Sequence, residues 1–294
     1  MTELQGDEFY GKATKVLNDN CWFFGPRKSE KYTMAINNYL SAANQYIMAK
    51  CYAKASAAYV SAANLYLEKN ENYYAASAAS TFVKASESSS KINDDENTIK
   101  LLETAIKIYL NNGDFINAGK NTKIMAEMAE EKNQILEAIT LYEKTCEYCG
   151  IDKVTYEVAK TLLKIAYLSI DCSNYTKAID ALNKVCDFYM KADVGFNCTK
   201  YFLEIGIIQL YLGDIVACKK DLARYIQTKP DFIKTKEYLL LNDTITACEK
   251  FDYDMFSDVV TCYDDYKKLN HWQVKLLLEI KEKMYNAGDE DDFT

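Results

Sequence analysis

The sequence predicts an all-α fold made of helical hairpins stacked one after another in a solenoid. The segment Glu137–Cys149 recurs 40 residues later as Lys177–Tyr189, with Ala138 matching Ala178. Apolar residues at positions i, i+3 and i+7 lie on one face of a helix, and a face that returns at a fixed period is typical of repeat proteins. A period of this length holds two helices and two short turns, so each hairpin is expected to bury its face against its neighbours.

The same face extends along the chain in both directions. At the 40-residue spacing it comprises Tyr59, Ala62 and Tyr66, then Ile99, Leu102 and Ile106, then Ile139, Tyr142 and Cys146, then Leu182 and Cys186, and finally Leu222 and Ile226, with Lys219 as a break. A half-period of 20 residues also occurs, because Ala35-x-x-x-Tyr39 returns as Ala55-x-x-x-Tyr59. Only two prolines and ten glycines interrupt 294 residues, as expected for helices.

The hairpins are expected to begin at Tyr32, after a short amphipathic helix at Glu8–Asn20, and to continue beyond Ala75–Lys84. A polar break is predicted at Ser86–Asp95, and Pro230 is expected to end the regular register. The helices predicted between and beyond these points are Asn97–Leu110, Phe115–Glu131, Ile135–Cys149, Val154–Ile170, Tyr175–Met190, Phe196–Leu212, Ile215–Gln227, Phe232–Glu249, Met255–Leu269 and His271–Asn286. The predicted domains are therefore a hairpin-repeat region, 1–230, and a C-terminal helical bundle, 231–294, with Gly288 capping the last helix before an acidic tail.

Charge and composition exclude several classes of function. The net charge is −8 and the sequence pI is about 5.0, which disfavours nonspecific binding to nucleic acid. The acidic start MTELQGDE lacks a signal sequence, and the longest uncharged apolar run, Ile205–Gly213, is far shorter than the ~20 residues that span a bilayer. The ten cysteines are expected to be reduced, buried apolar residues, so the predicted location is the cytoplasm.

No pattern in the sequence predicts catalysis. The chain has one histidine, His271, and no glycine-rich phosphate-binding loop. Cys146 and Cys149 form a C-x-x-C pair, but no second pair follows, and their place on the repeated face favours packing over a zinc or redox site. The chain is therefore expected to be neither an enzyme nor a metal protein, and no cofactor is expected.

Three consecutive aromatic residues, Trp22, Phe23 and Phe24, stand in a predicted loop at 21–28 that contains Gly25-Pro26. One interpretation is that they plug the open end of the first hairpin. The other is that they contact a membrane, where aromatic rings dip into the interface while Arg27, Lys28 and Lys31 meet lipid phosphates.

Lysines recur at the repeat period. Lys120, Lys160 and Lys200 stand 40 residues apart on the predicted second helices of successive hairpins, and Lys123 and Lys164 extend the series. Equal repeat positions in a solenoid share one surface, so a basic stripe facing an elongated acidic partner is one interpretation. The alternative is coincidence, because lysine is common on exposed helix faces.

With these residues placed, the chain resembles the soluble NSF attachment proteins, most closely the alpha type. The similarity runs from about Tyr10 to the last residue, and its most specific stretches are Trp22-Phe23-Phe24, Ala105–Tyr109 with Gly113-x-Phe115, Leu162–Ala166, Tyr175-x-Lys177–Asp180, and Trp272 with Leu276-Leu277-Leu278-x-Ile280-Lys281.

The resemblance implies a tetratricopeptide-like twisted sheet of hairpins followed by a C-terminal bundle. It implies an adaptor that wraps assembled SNARE bundles and recruits and stimulates the AAA+ ATPase NSF hexamer, for vesicle fusion and intracellular transport such as that between ER and Golgi. Phe23 and Phe24, next to Trp22, would then touch the cytosolic face of vesicle and target membranes. SNARE-binding bases would be Lys91, Lys120, Lys160, Lys164 and Lys200, and the ATPase would bind Asp289, Glu290, Asp291, Asp292 and Phe293.

Several positions depart from that family's pattern. The penultimate residue is Phe293 instead of leucine, and Asp114 stands where the mammalian pattern has a base. The loop after Phe24 is shorter, and Ser86–Ser90 is rich in serine. The alternative function is a generic helical-repeat scaffold or cochaperone, which would not require both an aromatic loop and an acidic tail ending in an apolar residue.

Overall fold

The structure is a computed structural model that describes residues 2–19, 28–69, 72–150, 155–191 and 198–291, with backbone alone at 72 and 287–291. These residues form fourteen α-helices and one short 3-10 helix, and none of them is in a strand. No helix among them is long and apolar enough to cross a membrane. The all-α prediction is confirmed.

The chain forms two compact units, Met1–Lys153 and Val154–Thr294. In the first unit, each helix packs against the next one along the chain. Its helices are α1 Thr2–Asn18, α2 Lys28–Met48, α3 Tyr52–Glu68, α4 Asn72–Ser90, α5 Asp95–Asn111, α6 Phe115–Glu131 and α7 Ile135–Cys149.

The second unit continues with hairpin helices and then gathers its last helices around α10. The helix α10 packs against α9, α11, α12 and α14, and its middle turns are almost fully buried. The elements are α8 Tyr156–Asp171, α9 Tyr175–Lys191, α10 Cys198–Tyr211, α11 Ile215–Thr228, the 3-10 helix Pro230–Lys234, α12 Lys236–Lys250, α13 Tyr253–Tyr266 and α14 His271–Asp291. The 3-10 helix that begins at Pro230 separates α11 from α12.

A repeated turn produces the 20-residue half-period. One residue with positive φ lies in the turn after a helix, and the following helix begins two residues later. At the 20-residue spacing these residues are Asn93, Gly113, Asn133, Ser173 and Gly213, with φ of 55, 73, 57, 60 and 78°. In each turn the residue after the positive-φ position donates its N–H to a carbonyl five residues earlier, as from Asp114 to Tyr109, 2.9 Å. Asp114 also caps α6 by accepting from the N–H of Asn117. This cap gives the acid at position 114 a structural reason.

The repeated apolar face is the core of the hairpins. Ala138, Ala178 and Cys218 are fully or almost fully buried at the 40-residue spacing, and Leu222 is buried as predicted. Lys219 is exposed, since the buried position beside it belongs to Cys218. The apparent break at Lys219 therefore leaves the register of the helix unchanged.

The polar break predicted at Ser86–Asp95 begins too early, because α4 continues to Ser90 and the turn before α5 is limited to 91–94. Small serines allow α3 and α4 to approach closely, and their hydroxyl groups find partners inside the contact. The hydroxyl of Ser56 is 3.0 Å from the carbonyl of Ala85 and 2.9 Å from the hydroxyl of Ser89. Ser86 donates to the carbonyl of Val83, 2.7 Å. Burial of hydrogen-bonded hydroxyls in a helix contact is invisible to a pattern of polar and apolar residues.

Both terminal helices are longer than predicted. The helix α1 begins at Thr2 and ends at Asn18, in place of Glu8–Asn20. Its first turns are held by Lys54, whose ammonium contacts Glu3 and Asp7 at 2.9 and 3.0 Å. The helix α14 continues to Asp291, so Gly288 lies inside it and does not cap it.

Close contact between α6 and α7 depends on Gly119. A Cβ added there would lie 2.2 Å from the sulfur of Cys149, so a side chain cannot fit without movement. We expect Gly119→Ala to lower the free energy of unfolding by about 1–3 kcal/mol, as measured by urea denaturation followed by circular dichroism. Gly119→Ala with Cys149→Ala should recover most of the loss. Gly11→Ala is the matched control: its Cβ would meet nothing within 4 Å, so it should stabilise helix α1 by ~0.5–1 kcal/mol. An unchanged stability in Gly119→Ala would contradict this account.

Candidate functional site

The basic residues predicted from the repeat all lie on or beside second helices of hairpins. Lys120 lies in the second turn of α6, Lys160 and Lys164 lie one turn apart on α8, and Lys200 lies in the first turn of α10. Lys91 follows the last residue of α4 in the turn that leads to α5. Lys91, Lys120, Lys160 and Lys164 are exposed, whereas Lys200 is half-buried.

The first unit places Lys91 and Lys120 near opposite ends of its hairpins. The turn that contains Lys91 lies at the end where Lys132 bridges Asp95, with 2.9 Å between nitrogen and oxygen. Along α6, Lys120 is about 18 Å from Lys132, because an α-helix rises 1.5 Å per residue. The structure therefore does not bring Lys91 next to Lys120. Lys123, which extends the series, pairs with Glu127 at 3.9 Å.

In the second unit the lysines stand among tyrosines. The ammonium of Lys160 lies 4.5 Å from the centroid of the Tyr156 ring and 3.2 Å from the carboxylate of Glu157. Lys200 lies 5.7 Å from the rings of both Tyr167 and Tyr201. An ammonium group over an aromatic face is attracted to the negative face of the ring. These rings orient the lysine heads, and the spacing of lysines alone did not predict them.

A buried carboxylate, that of Glu204, forms an ion pair with Lys200. The side chain of Glu204 is fully buried, and its Oε1 lies 3.5 Å from the ammonium of Lys200. The hydroxyl of Tyr167 donates to Glu204 Oε2 at 3.2 Å and lies 3.3 Å from Lys200 Nζ. Burial raises the pKa of Glu204 to about 7, although Lys200, Tyr167 and the charge of Lys267 lower it. The signal that could have revealed this group is an acid inside the apolar run Phe202–Leu210.

The raised pKa of Glu204 predicts a pH-dependent stability. As pH rises from about 4.5 to 7, the unfolded chain loses this proton and the folded protein retains it, so the free energy of unfolding falls. The penalty is complete above about pH 7. Glu204→Gln cannot ionise, so its stability relative to the unchanged protein should increase between pH 5 and pH 8 by up to about 3 kcal/mol. Urea denaturation at a series of pH values measures the difference. A difference that stays constant across this range would contradict the assignment.

The two ends of the predicted site fall partly outside the described residues. Trp22, Phe23 and Phe24 lie outside them, as do Asp292 and Phe293. Asp289, Glu290 and Asp291 belong to the last turns of α14, where the backbone alone is described. The membrane and ATPase contacts at these positions therefore remain predictions.

No three His, Cys, Asp or Glu side chains in the part of the chain that the structure describes are arranged to hold a metal ion. Cys146 and Cys149 are half-buried in α7, and burial raises the pKa of Cys149. The expectation that the cysteines are buried is correct for four of the nine described ones. Four others are half-buried, and Cys262 is exposed. His271 is exposed at the start of α14.

Comparison with known proteins identifies relatives along the whole chain. A family model described as soluble NSF attachment protein, SNAP, matches residues 4–285. The alpha-soluble NSF attachment protein of Vitis vinifera is 31% identical over 297 residues, which cover 99% of this chain and 98% of the relative. The human alpha-soluble NSF attachment protein is 30% identical, with 95% and 93% covered. A probable vesicular-fusion protein sec17 homolog of Schizosaccharomyces pombe is 30% identical, with 98% of each chain covered.

Similarity to solved structures is weaker. BtubC from P. vanneervenii superposes on 78% of this chain and 90% of its own, with 11% identity and a TM-score of 0.42. A score this low adds nothing to the sequence relationships.

Proposed function

Because the chain belongs to the soluble NSF attachment protein family, we propose that it is an adaptor that binds assembled SNARE complexes and recruits and stimulates the AAA+ ATPase NSF. ATP hydrolysis by the ATPase then takes the SNARE bundle apart during vesicle fusion and intracellular transport. The observation that carries this proposal is the family match over residues 4–285, together with relatives aligned along nearly their full length. In this assignment the chain binds and positions its partners and has no catalytic activity of its own.

The proposed SNARE contact consists of Lys120 in the first unit and Lys160, Lys164 and Lys200 in the second, with Lys91 as a more distant member. Exposed lysines on a chain of net charge −8 favour a partner with a local acidic surface. The ring of Tyr156 beside Lys160 and the hydroxyl of Tyr167 beside Lys200 support this role, since they hold the cationic heads in position.

Reconstitution with purified components tests the adaptor function. The protein is mixed with an anchor-free SNARE bundle, the ATPase and ATP, and loss of the SDS-resistant bundle is followed with time. We expect the bundle to disassemble when this chain is present and to persist when it is omitted or when ATP is replaced by a non-hydrolysable analogue. If the bundle does not bind this chain, and the ATPase is not recruited to it, the result would instead favour the alternative function as a general helical-repeat scaffold.

We propose that Phe23 and Phe24, next to Trp22, insert shallowly into the cytosolic membrane surface beside the SNARE anchors. Changing both phenylalanines to Ser should slow disassembly of SNAREs anchored in liposomes by severalfold and leave anchor-free SNAREs nearly unaffected, since two aromatic rings contribute only a few kcal/mol before ordering costs. A loss of several kcal/mol of folding stability in the double variant would support the alternative, in which the rings plug the first hairpin.

A further inference from the structure

One end of the first hairpins carries a cluster of tyrosines and lysines, of which only Tyr32 and Tyr66 pack against the described core. We call it the Tyr/Lys cluster. It comprises Lys28 and Tyr32 from the start of α2, Tyr66 and Lys69 from the end of α3, and Tyr73 and Tyr74 from the start of α4.

Direct contacts between the three helices join the Tyr/Lys cluster together. Lys69 Nζ donates to the hydroxyl of Thr33 in α2 at 2.8 Å and lies 4.1 Å from the centroid of the Tyr74 ring. The rings of Tyr66 and Tyr74 stack with centroids 6.0 Å apart. Lys28 lies over the ring of Tyr32 at 5.3 Å. The end of α3 and the starts of α2 and α4 therefore form one continuous surface.

Tyr73 is the outermost member of this surface. Its side chain is 79% exposed, and its ring meets that of Tyr74 edge to face with centroids 5.4 Å apart. A tyrosine has an apolar body and a polar tip, which suits the boundary between lipid headgroups and acyl chains. Its contacts with the rest of the protein are too few to explain an aromatic residue here.

The topology of the chain points to a membrane as the occupant of this surface. The described lysines Lys28, Lys31 and Lys69 stand here beside Asp19, Glu30 and Glu68, so this end is close to neutral on a chain of net charge −8. The helix α1 also ends here, because Lys31 in α2 donates to the carbonyl of Asp19. The chain segment with the proposed membrane-contacting phenylalanines therefore leaves and re-enters the described structure beside the Tyr/Lys cluster.

We propose that the Tyr/Lys cluster is a second membrane contact, which places Tyr73 in the headgroup region of a bilayer with anionic lipids and Lys28 and Lys69 near their phosphates. This inference rests on the proposed function, because it enlarges the contact made by Phe23 and Phe24. A lysine near an anionic surface strengthens binding about fivefold, so a surface of this kind adds to a weak aromatic anchor.

The test is co-flotation of the full-length protein with vesicles of phosphatidylcholine and phosphatidylserine, compared with phosphatidylcholine alone. Tyr73→Ser should lower the ratio of bound to free protein about three- to tenfold, and the decrease should also occur when Phe23 and Phe24 are already Ser. The matched control is Leu136→Ser: Leu136 is 71% exposed in the first turn of α7, at the opposite end of the hairpins, and the substitution should leave flotation unchanged.

A second measurement reports on Tyr73 itself. Tyr73→Trp should add fluorescence that brominated lipids quench, relative to the same protein without the substitution. The proposal is overturned if Tyr73→Ser floats like the unchanged protein, if Leu136→Ser loses as much binding, or if the added fluorescence is not quenched. It is also overturned if Tyr73→Ser weakens binding to an anchor-free SNARE bundle, because the surface would then contact protein. These vesicles carry no SNAREs or ATPase, so failure of the adaptor function appears in the separate reconstitution.

Discussion

Reversing the charges of Lys120 and Lys160 to Glu should lower the affinity for an assembled SNARE bundle by about tenfold. Each substitution removes an attraction to an acidic surface and adds a repulsion, and exposed pairs contribute roughly 0.2–1 kcal/mol apiece. Both side chains are exposed, so folding should change by less than ~0.5 kcal/mol. Pull-down of an anchor-free bundle over a series of protein concentrations measures the affinity.

The control reverses two lysines that lie on first helices of hairpins, one in each unit. Lys107 on α5 and Lys184 on α9 are exposed and carry the same charge, so Lys107→Glu with Lys184→Glu matches the change in net charge. Binding by the unchanged protein should also weaken with added salt, since exposed charges are screened beyond ~8 Å at physiological ionic strength. Equal losses of affinity in the two double variants would show that the effect comes from the change in net charge and not from a specific contact. An unchanged affinity for Lys120→Glu with Lys160→Glu would reject the lysine contact.

Deletion of Asp289–Thr294 should abolish recruitment and stimulation of the ATPase while binding to the SNARE bundle persists. The helix α14 continues to Asp291, which places acidic residues at its C-terminal end. Carboxylates there oppose the helix dipole by roughly 0.3–1 kcal/mol each. They therefore do not stabilise their own helix, and pairing with lysines and arginines of the ATPase would account for them. ATP turnover and disassembly rate are the measured quantities.

A variant whose tail keeps its length but loses its charges tests whether the loss of ATPase stimulation is due to charge or to length. Changing the four acids at 289–292 to Asn or Gln should abolish stimulation as fully as the deletion does. Phe293→Ala should lower the stimulated ATP turnover more than it lowers ATPase binding, because it removes an apolar contact beside the acids. Phe293→Leu should be nearly neutral, because it keeps an apolar side chain there. Full disassembly by the truncated chain would instead assign the tail a role in solubility alone.

Predictions from the sequence pattern succeeded for features that the residues of a single helix or turn determine. The 40-residue recurrence of Ala138 and Ala178 predicted the buried faces of α7 and α9, because side-chain period decides which face a helix buries. Pro230 stands between α11 and α12 in a short 3-10 helix, since proline cannot continue a regular helix. The N-cap Asp114 shows the same locality: its side chain accepts from the N–H of Asn117, which lies three residues further along the chain.

The sequence by itself determined the helical class, the repeat and the family, because these depend on spacing along one chain. Tertiary structure alone decided what meets across helices. Ser56 and Ser89 lie 33 residues apart and hydrogen bond, so a stretch that is polar in sequence became a buried helix end. Glu204 acquired a pKa near 7 because α10 packs inside the second unit, and Tyr73 joined a surface only when α2, α3 and α4 met. Burial and pairing between distant residues depend on how the helices pack, and the residue pattern within one helix does not specify which helices it meets.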